Sequence, residues 1–212
     1  MNCEATSRKQ ENLNTVSHGI GILLGLIGFY ILLQRNIRTN SLGLFSILIY
    51  SATILLMFTV STLYHGIGDP KWKGRLRILD HISIYFLIAG TYTPVTLILL
   101  ENGNGWPMFY IVWGIALIGT VMKLFYTGKY EFISLLLYLA MGWLIILDFG
   151  TLLEQGSLTG LMLLFSGGLL YTSGIVFYVN EKIRYNHFIW HLFVLGGAVC
   201  HWLFIYTDIV GI

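Results

Sequence analysis

The chain has 212 residues, of which 56% are apolar and only 10% charged, with a mean hydropathy of +0.76 and a formal net charge of +2. An ordinary soluble domain carries roughly 25% charged residues, so this composition excludes one and points to an integral membrane protein. The spans consume nearly the whole length, and no basic patch suited to nucleic acid is present.

The first fifteen residues are polar, with Arg8 and Lys9 offset by Glu4 and Glu11. They are expected as a short cytoplasmic tail (1–15) ahead of a single transmembrane domain (16–212). The apolar run that follows is too long for a removable signal peptide and lacks its small-residue cleavage site. Helices of about 20 apolar residues cross a bilayer. Seven such runs occur, at Val16–Leu33, Leu42–His65, Ile78–Leu100, Trp106–Phe125, Phe132–Leu153, Leu158–Val179 and Phe188–Ile209. The expected fold is therefore an all-α membrane protein of seven transmembrane helices.

Gly21 and Gly25 form a GxxxG pattern in the first run, a spacing that lets helices approach closely. Pro70 is expected in a loop and Pro107 at a helix start, whereas Pro94 sits inside the third run and should kink it. The fifth run is the least regular, since it carries Asp148 near one end, and Asp148 and Asp208 are both expected to be solvated near the outer face. Cys3 lies in the tail and Cys200 inside a span, so both are expected as free thiols.

Orientation follows from Lys and Arg, which favour cytoplasmic loops. With seven spans, ten of the twelve fall on the side of the N-terminal tail (Arg8, Lys9, Lys71, Lys73, Arg75, Arg77, Lys123, Lys129, Lys182 and Arg184), and only Arg35 and Arg38 fall opposite. The N-terminus is thus expected in the cytoplasm and the C-terminus outside.

Ionisable residues inside spans mark functional positions, because hydrocarbon makes them expensive. The last span opens with His187 and His191, four residues apart on one helical face, a spacing that lets two imidazoles take one metal ion. His201 shares that face but lies roughly 15 Å further along, out of reach of the same ion. Ser61 and His65 end the second run four residues apart, and Asp80 opens the third. The orientation places all five at the cytoplasmic ends of their helices. His18 opens the first span on that side, and Glu11, Asn14 and His18 would share a stripe with it if the helix extends that far back. From the residues alone, the histidines are metal ligands, haem ligands or interhelical hydrogen-bond partners. His81 points about 100° away from Asp80 and is set aside.

Ser61-x-x-x-His65, Leu79-Asp80-His81 running on to Ala89-Gly90-Thr91-Tyr92-Thr93-Pro94, and His187-x-x-x-His191 followed by His201 together resemble the haemolysin III family. That family is the bacterial branch of the progestin and adipoQ receptor group and is related to alkaline ceramidases. The resemblance implies zinc held by His65, His187 and His191, with Ser61 and Asp80 close to it through solvent. It also implies a multi-pass protein of the bacterial inner or plasma membrane. The expected function is a zinc-dependent hydrolase, or hydrolase-like homeostasis protein, acting on lipid amide or ester bonds, with Asp80 as base and Ser61 positioning water. A non-enzymatic sensor or receptor with structural zinc, and the cytolytic pore of the family name, are the alternatives. The expected partner is a membrane lipid, as substrate or ligand.

Overall fold

The computed structural model describes residues 3–36 and 41–210, and among these every regular element is helical. Arg38 and the side chains of Cys3 and Glu4 lie outside the described residues. Helix α1 spans Cys3–Asn36, α2 Ser41–Gly66, α3 Pro70–Pro94, α4 Gly105–Tyr126, α5 Glu131–Gly142, α6 Phe149–Gln155, α7 Leu158–Val179 and α8 Asn186–Asp208. Seven helical stretches are long and apolar enough to cross a membrane, with α5 and α6 together making the fifth.

Two helices start more than two residues before their apolar runs. The 34 residues of α1 would extend about 51 Å, well beyond a hydrocarbon core of about 30 Å. The segment expected as a tail instead continues the helix, carried by the good helix formers Arg8, Lys9, Gln10 and Glu11. Likewise Pro70 does not sit in a loop. It is the first residue of α3, where its missing N–H is harmless, and the Asp69 carboxylate caps the helix by accepting from Trp72 N–H at 3.0 Å.

Pro94 perturbs α3 as its position predicts. Beyond it the chain runs as a π-helical segment over Val95–Leu99, closed by a bond from Leu100 N–H to the Val95 carbonyl at 2.9 Å. The fifth span breaks after Gly142 into a tight 3₁₀ stretch, Leu144–Asp148, before α6 resumes. The Tyr92 hydroxyl bridges that break, donating to the Gly142 carbonyl at 3.1 Å and accepting from Ile145 N–H at 2.8 Å.

The third span is the most enclosed, 78% of its apolar window being buried against 50% or less in every other span. Around it α2 packs on α1 and α3, α4 packs on α3, α7 pairs with α8, and α1 closes against α8. The GxxxG of α1 serves this internal packing: a Cβ on Gly21 would stand 2.4 Å from the Phe58 ring of α2. One turn beyond Gly25, a Cβ on Gly28 would stand 2.5 Å from Trp202 Nε1 of α8.

Asp148 and Asp208 are buried, not solvated. Asp148 accepts from Asn104 N–H at 2.6 Å and Thr151 Oγ1 at 2.8 Å, which ties the break in the fifth span to the start of α4. Asp208 accepts from Ser157 N–H at 2.7 Å and Ser157 Oγ at 2.8 Å, so the end of α8 holds the residue that caps α7. Both satisfy donors that helix starts leave unpaired. Cys200 is a free thiol.

Candidate metal centre and cavity

His65 is on the last turn of α2, and His187 and His191 are on the first turns of α8. Both sequences place imidazoles on an inward helical face, and the bundle brings the two faces together. The ring centroids of His65 lie 5.0 Å from His187 and 4.8 Å from His191, and those of His187 and His191 are 4.8 Å apart. One ligand atom from each of the three lies within 4.8 Å of the others, so the cluster could hold a metal ion. Nitrogens bound to one zinc at 2.0–2.1 Å lie about 3.4 Å apart, so the rings would draw together slightly on binding. The donor set suits a metal in a second respect: His65 Nε2 is buried and has no hydrogen-bond partner among the described residues, an arrangement that is costly unless something else engages it.

Residues of α1 surround these rings. Glu11 Oε2 lies 2.6 Å from His65 Nδ1, and Glu11 Oε1 accepts from Lys73 Nζ at 3.1 Å. The Ser17 hydroxyl donates to the Asn14 carbonyl at 2.8 Å and lies 3.3 Å from His191 Nδ1. Asn14 Nδ2 is 3.4 Å from His65 Nδ1. A proton on that nitrogen, required by the carboxylate contact, calls for the amide to turn and present Oδ1, which has no partner in this orientation. His18 stacks on His191 with centroids 3.7 Å apart and planes 13° from parallel. A metal lies near the plane of each imidazole that binds it, and two near-parallel planes this far apart do not meet at bonding distance, so His18 cannot join the ion that His191 holds.

A cavity of about 280 Å³ opens beside the cluster. His187, His191, Ser61 and Asp80 line it at one end and His201 lines it deeper in the bundle, with Met57, Leu87, Val95, Leu139 and Val194 among its apolar walls. Asp80 is half-buried with the Ser61 hydroxyl beside it. Among the described residues Asp80 forms no ion pair; Lys73, a natural candidate for it, is turned to Glu11 instead. His201 lies 3.2 Å from the Leu164 carbonyl through Nε2, apart from the cluster. His81 also faces the cavity, with Nδ1 2.7 Å from the Arg77 carbonyl.

Sequence reasoning identified the three clustered histidines, and the helix extension on which the Glu11, Asn14 and His18 stripe depended is present. It missed Ser17 and Lys73. Ser17 sits one residue off the stripe, and Lys73 was assigned to a loop.

Fold and site define a seven-span helical protein with three imidazoles gathered at one end of the bundle beside a largely apolar cavity. The profile described as "Haemolysin-III related" matches residues 6–202, and the chain belongs to that family. It is 40% identical over 191 residues to Hemolysin-3 of Bacillus cereus, covering 90% of this chain and 87% of that protein. Against the Hemolysin-3 homolog of Bacillus subtilis (strain 168) it is 42% identical over 192 residues, covering 90% of each. The human Monocyte to macrophage differentiation factor is 34% identical over 174 residues, 76% of this chain and 70% of that one, which fits the broader receptor group. No solved structure matches.

Proposed function

We propose that this protein is a zinc-dependent hydrolase of lipid amide or ester bonds in the bacterial inner or plasma membrane, with its site at the cytoplasmic end of the bundle. The observation that carries this reading is that two of the clustered imidazoles, the Asp80 carboxylate and the Ser61 hydroxyl all face one cavity whose deeper walls are apolar. Such a cavity accepts an acyl chain along its length and leaves the polar linkage beside the histidines. Zinc bound there would supply a Lewis acid that polarises a carbonyl and acidifies water. His65, His187 and His191 would hold it, and three protein ligands are the count found in catalytic zinc sites, whereas structural sites are usually closed by four. Asp80, which lines the same cavity, would take a proton onto an Oδ atom from an attacking water, and Ser61 would orient that water.

A turnover assay on lipid extracts, with zinc content measured in the same samples, tests this. Asp80→Asn is expected to keep zinc and fold while abolishing hydrolysis, and Ser61→Ala to reduce it less. Failure of the wild type to hydrolyse any acyl-amide or acyl-ester lipid, together with loss of zinc and thermal stability in Asp80→Asn, would overturn the hydrolase.

One observation favours a second reading. Helices α2 and α8 barely touch along their lengths, yet His65 of one meets His187 and His191 of the other. A metal there would staple the second span to the seventh, as a sensor or receptor with structural zinc would need. In that case the wild type would hydrolyse nothing, and loss of zinc and thermal stability in Asp80→Asn would make Asp80 part of the structural site.

A further inference from the structure

Glu11, in the stretch that reads in the sequence as a tail, and Ser17, at the start of the first apolar run, reach the backs of two clustered histidines. An imidazole binds a metal through one nitrogen, and the hydrogen bond at the other decides which nitrogen that is. At His65 the partner is an acceptor. Glu11 Oε2 stands 2.6 Å from Nδ1, while Lys73 holds the other oxygen of the same carboxylate and so fixes its aim. The proton must therefore be on Nδ1, which frees Nε2, the buried nitrogen without a partner. At His191 the argument runs through Ser17. Its hydroxyl hydrogen is already given to the Asn14 carbonyl, so its oxygen can only accept from Nδ1, and Nε2 is again left for the ion. Among the described residues no comparable hydrogen bond reaches the His187 ring.

We propose that Glu11, aimed by Lys73, and Ser17 are positioning residues of the metal centre: they set the tautomer and direction of His65 and His191, so that the N-terminal half of α1 is part of the site. This rests on the metal reading of the three-histidine cluster. The carboxylate does more than orient. A carboxylate behind an imidazole raises its basicity, which strengthens its bond to a cation. His191, backed by a neutral hydroxyl, gains orientation alone. Glu11 should therefore matter more than Ser17.

The test uses the full-length protein in detergent, stripped of metal, with zinc affinity measured by chelator competition and the cobalt form followed by visible absorption. Removal of such a partner typically lowers metal affinity 10- to 100-fold. Glu11→Ala is expected in that range, with a shifted cobalt spectrum. Glu11→Gln, whose side-chain carbonyl still accepts from Nδ1 but carries no charge, should fall between Glu11→Ala and the wild type, and Ser17→Ala should lose less than Glu11→Ala. The thermal midpoint of the metal-free protein should be the same in all. Wild-type affinity and an unchanged cobalt spectrum in Glu11→Ala would overturn the inference while leaving the metal centre standing. Weaker binding matched by a lowered midpoint of the metal-free protein would also overturn it, by assigning Glu11 to folding. A wild type that takes up neither zinc nor cobalt removes the metal reading and this inference with it.

Discussion

His65 and His201 are both histidines inside spans, and their surroundings separate them. His201 has the Leu164 carbonyl for Nε2 and the Tyr171 ring 5.4 Å away, so its polar edge is answered within the protein. His65 Nε2 is answered by nothing among the described residues. Replacing His65, His187 or His191 with Ala should therefore abolish metal retention, while His201→Ala should leave it intact. Metal content of the purified variants by mass spectrometry decides this, and equal loss in His201→Ala would contradict it. The three ligand candidates were legible in the sequence because two lie four residues apart and all fall at helix ends that charge placed on one side. The partners behind them were not. Hydropathy marks where a helix leaves hydrocarbon, not where it stops, so a boundary drawn at Val16 left Glu11 only a conditional member of a stripe; its partner is 54 residues away, and Ser17, inside the run, meets one 174 residues away. Asp148 and Asp208 were misjudged for a related reason, since an acidic residue near a span end looks solvated until donors 44 and 51 residues distant close on it.

The helices themselves were largely read correctly from the apolar runs, and the departures have local causes. The third and fifth spans are both irregular, the former after Pro94 and the latter after Gly142, and Tyr92 joins the two irregularities. Pro94 announces itself in a sequence. The break at Gly142 does not, because its stability comes from a hydroxyl on another helix. Tyr92→Phe removes that hydroxyl and leaves a carbonyl and an N–H inside the bundle unpaired, which costs about 1–3 kcal/mol. The variant is expected to show a lower thermal midpoint in detergent with the same helix content by circular dichroism; an unchanged midpoint would mean that the break is held elsewhere. Helix α1 offers a second test. Gly28→Leu must push α1 away from Trp202, where even a Cβ would meet Nε1 at 2.5 Å, and overpacking of this kind costs about 1–3 kcal/mol. Because Glu11 and Ser17 ride on the same helix, this variant should also hold metal less tightly. Wild-type metal affinity in a destabilised Gly28→Leu would show that α1 can shift without disturbing the cluster.

For the molecule as a whole, seven spans and the bias of Lys and Arg toward one side predict a cytoplasmic N-terminus and an external C-terminus. A reporter fused after Ile212 should give an external signal, and a cytoplasmic one would invert the orientation and move the site to the opposite leaflet. The bundle gathers residues from α1, α2, α3 and α8 around a single cluster, and everything proposed for its chemistry depends on an ion being there. Anomalous X-ray scattering at the zinc edge, from crystals of protein purified without added metal, tests that directly. The expected result is a single peak per chain among His65, His187 and His191, at about 2.0–2.1 Å from three ring nitrogens. No peak in crystals that diffract well enough to show one, or a peak elsewhere in the chain, would contradict it.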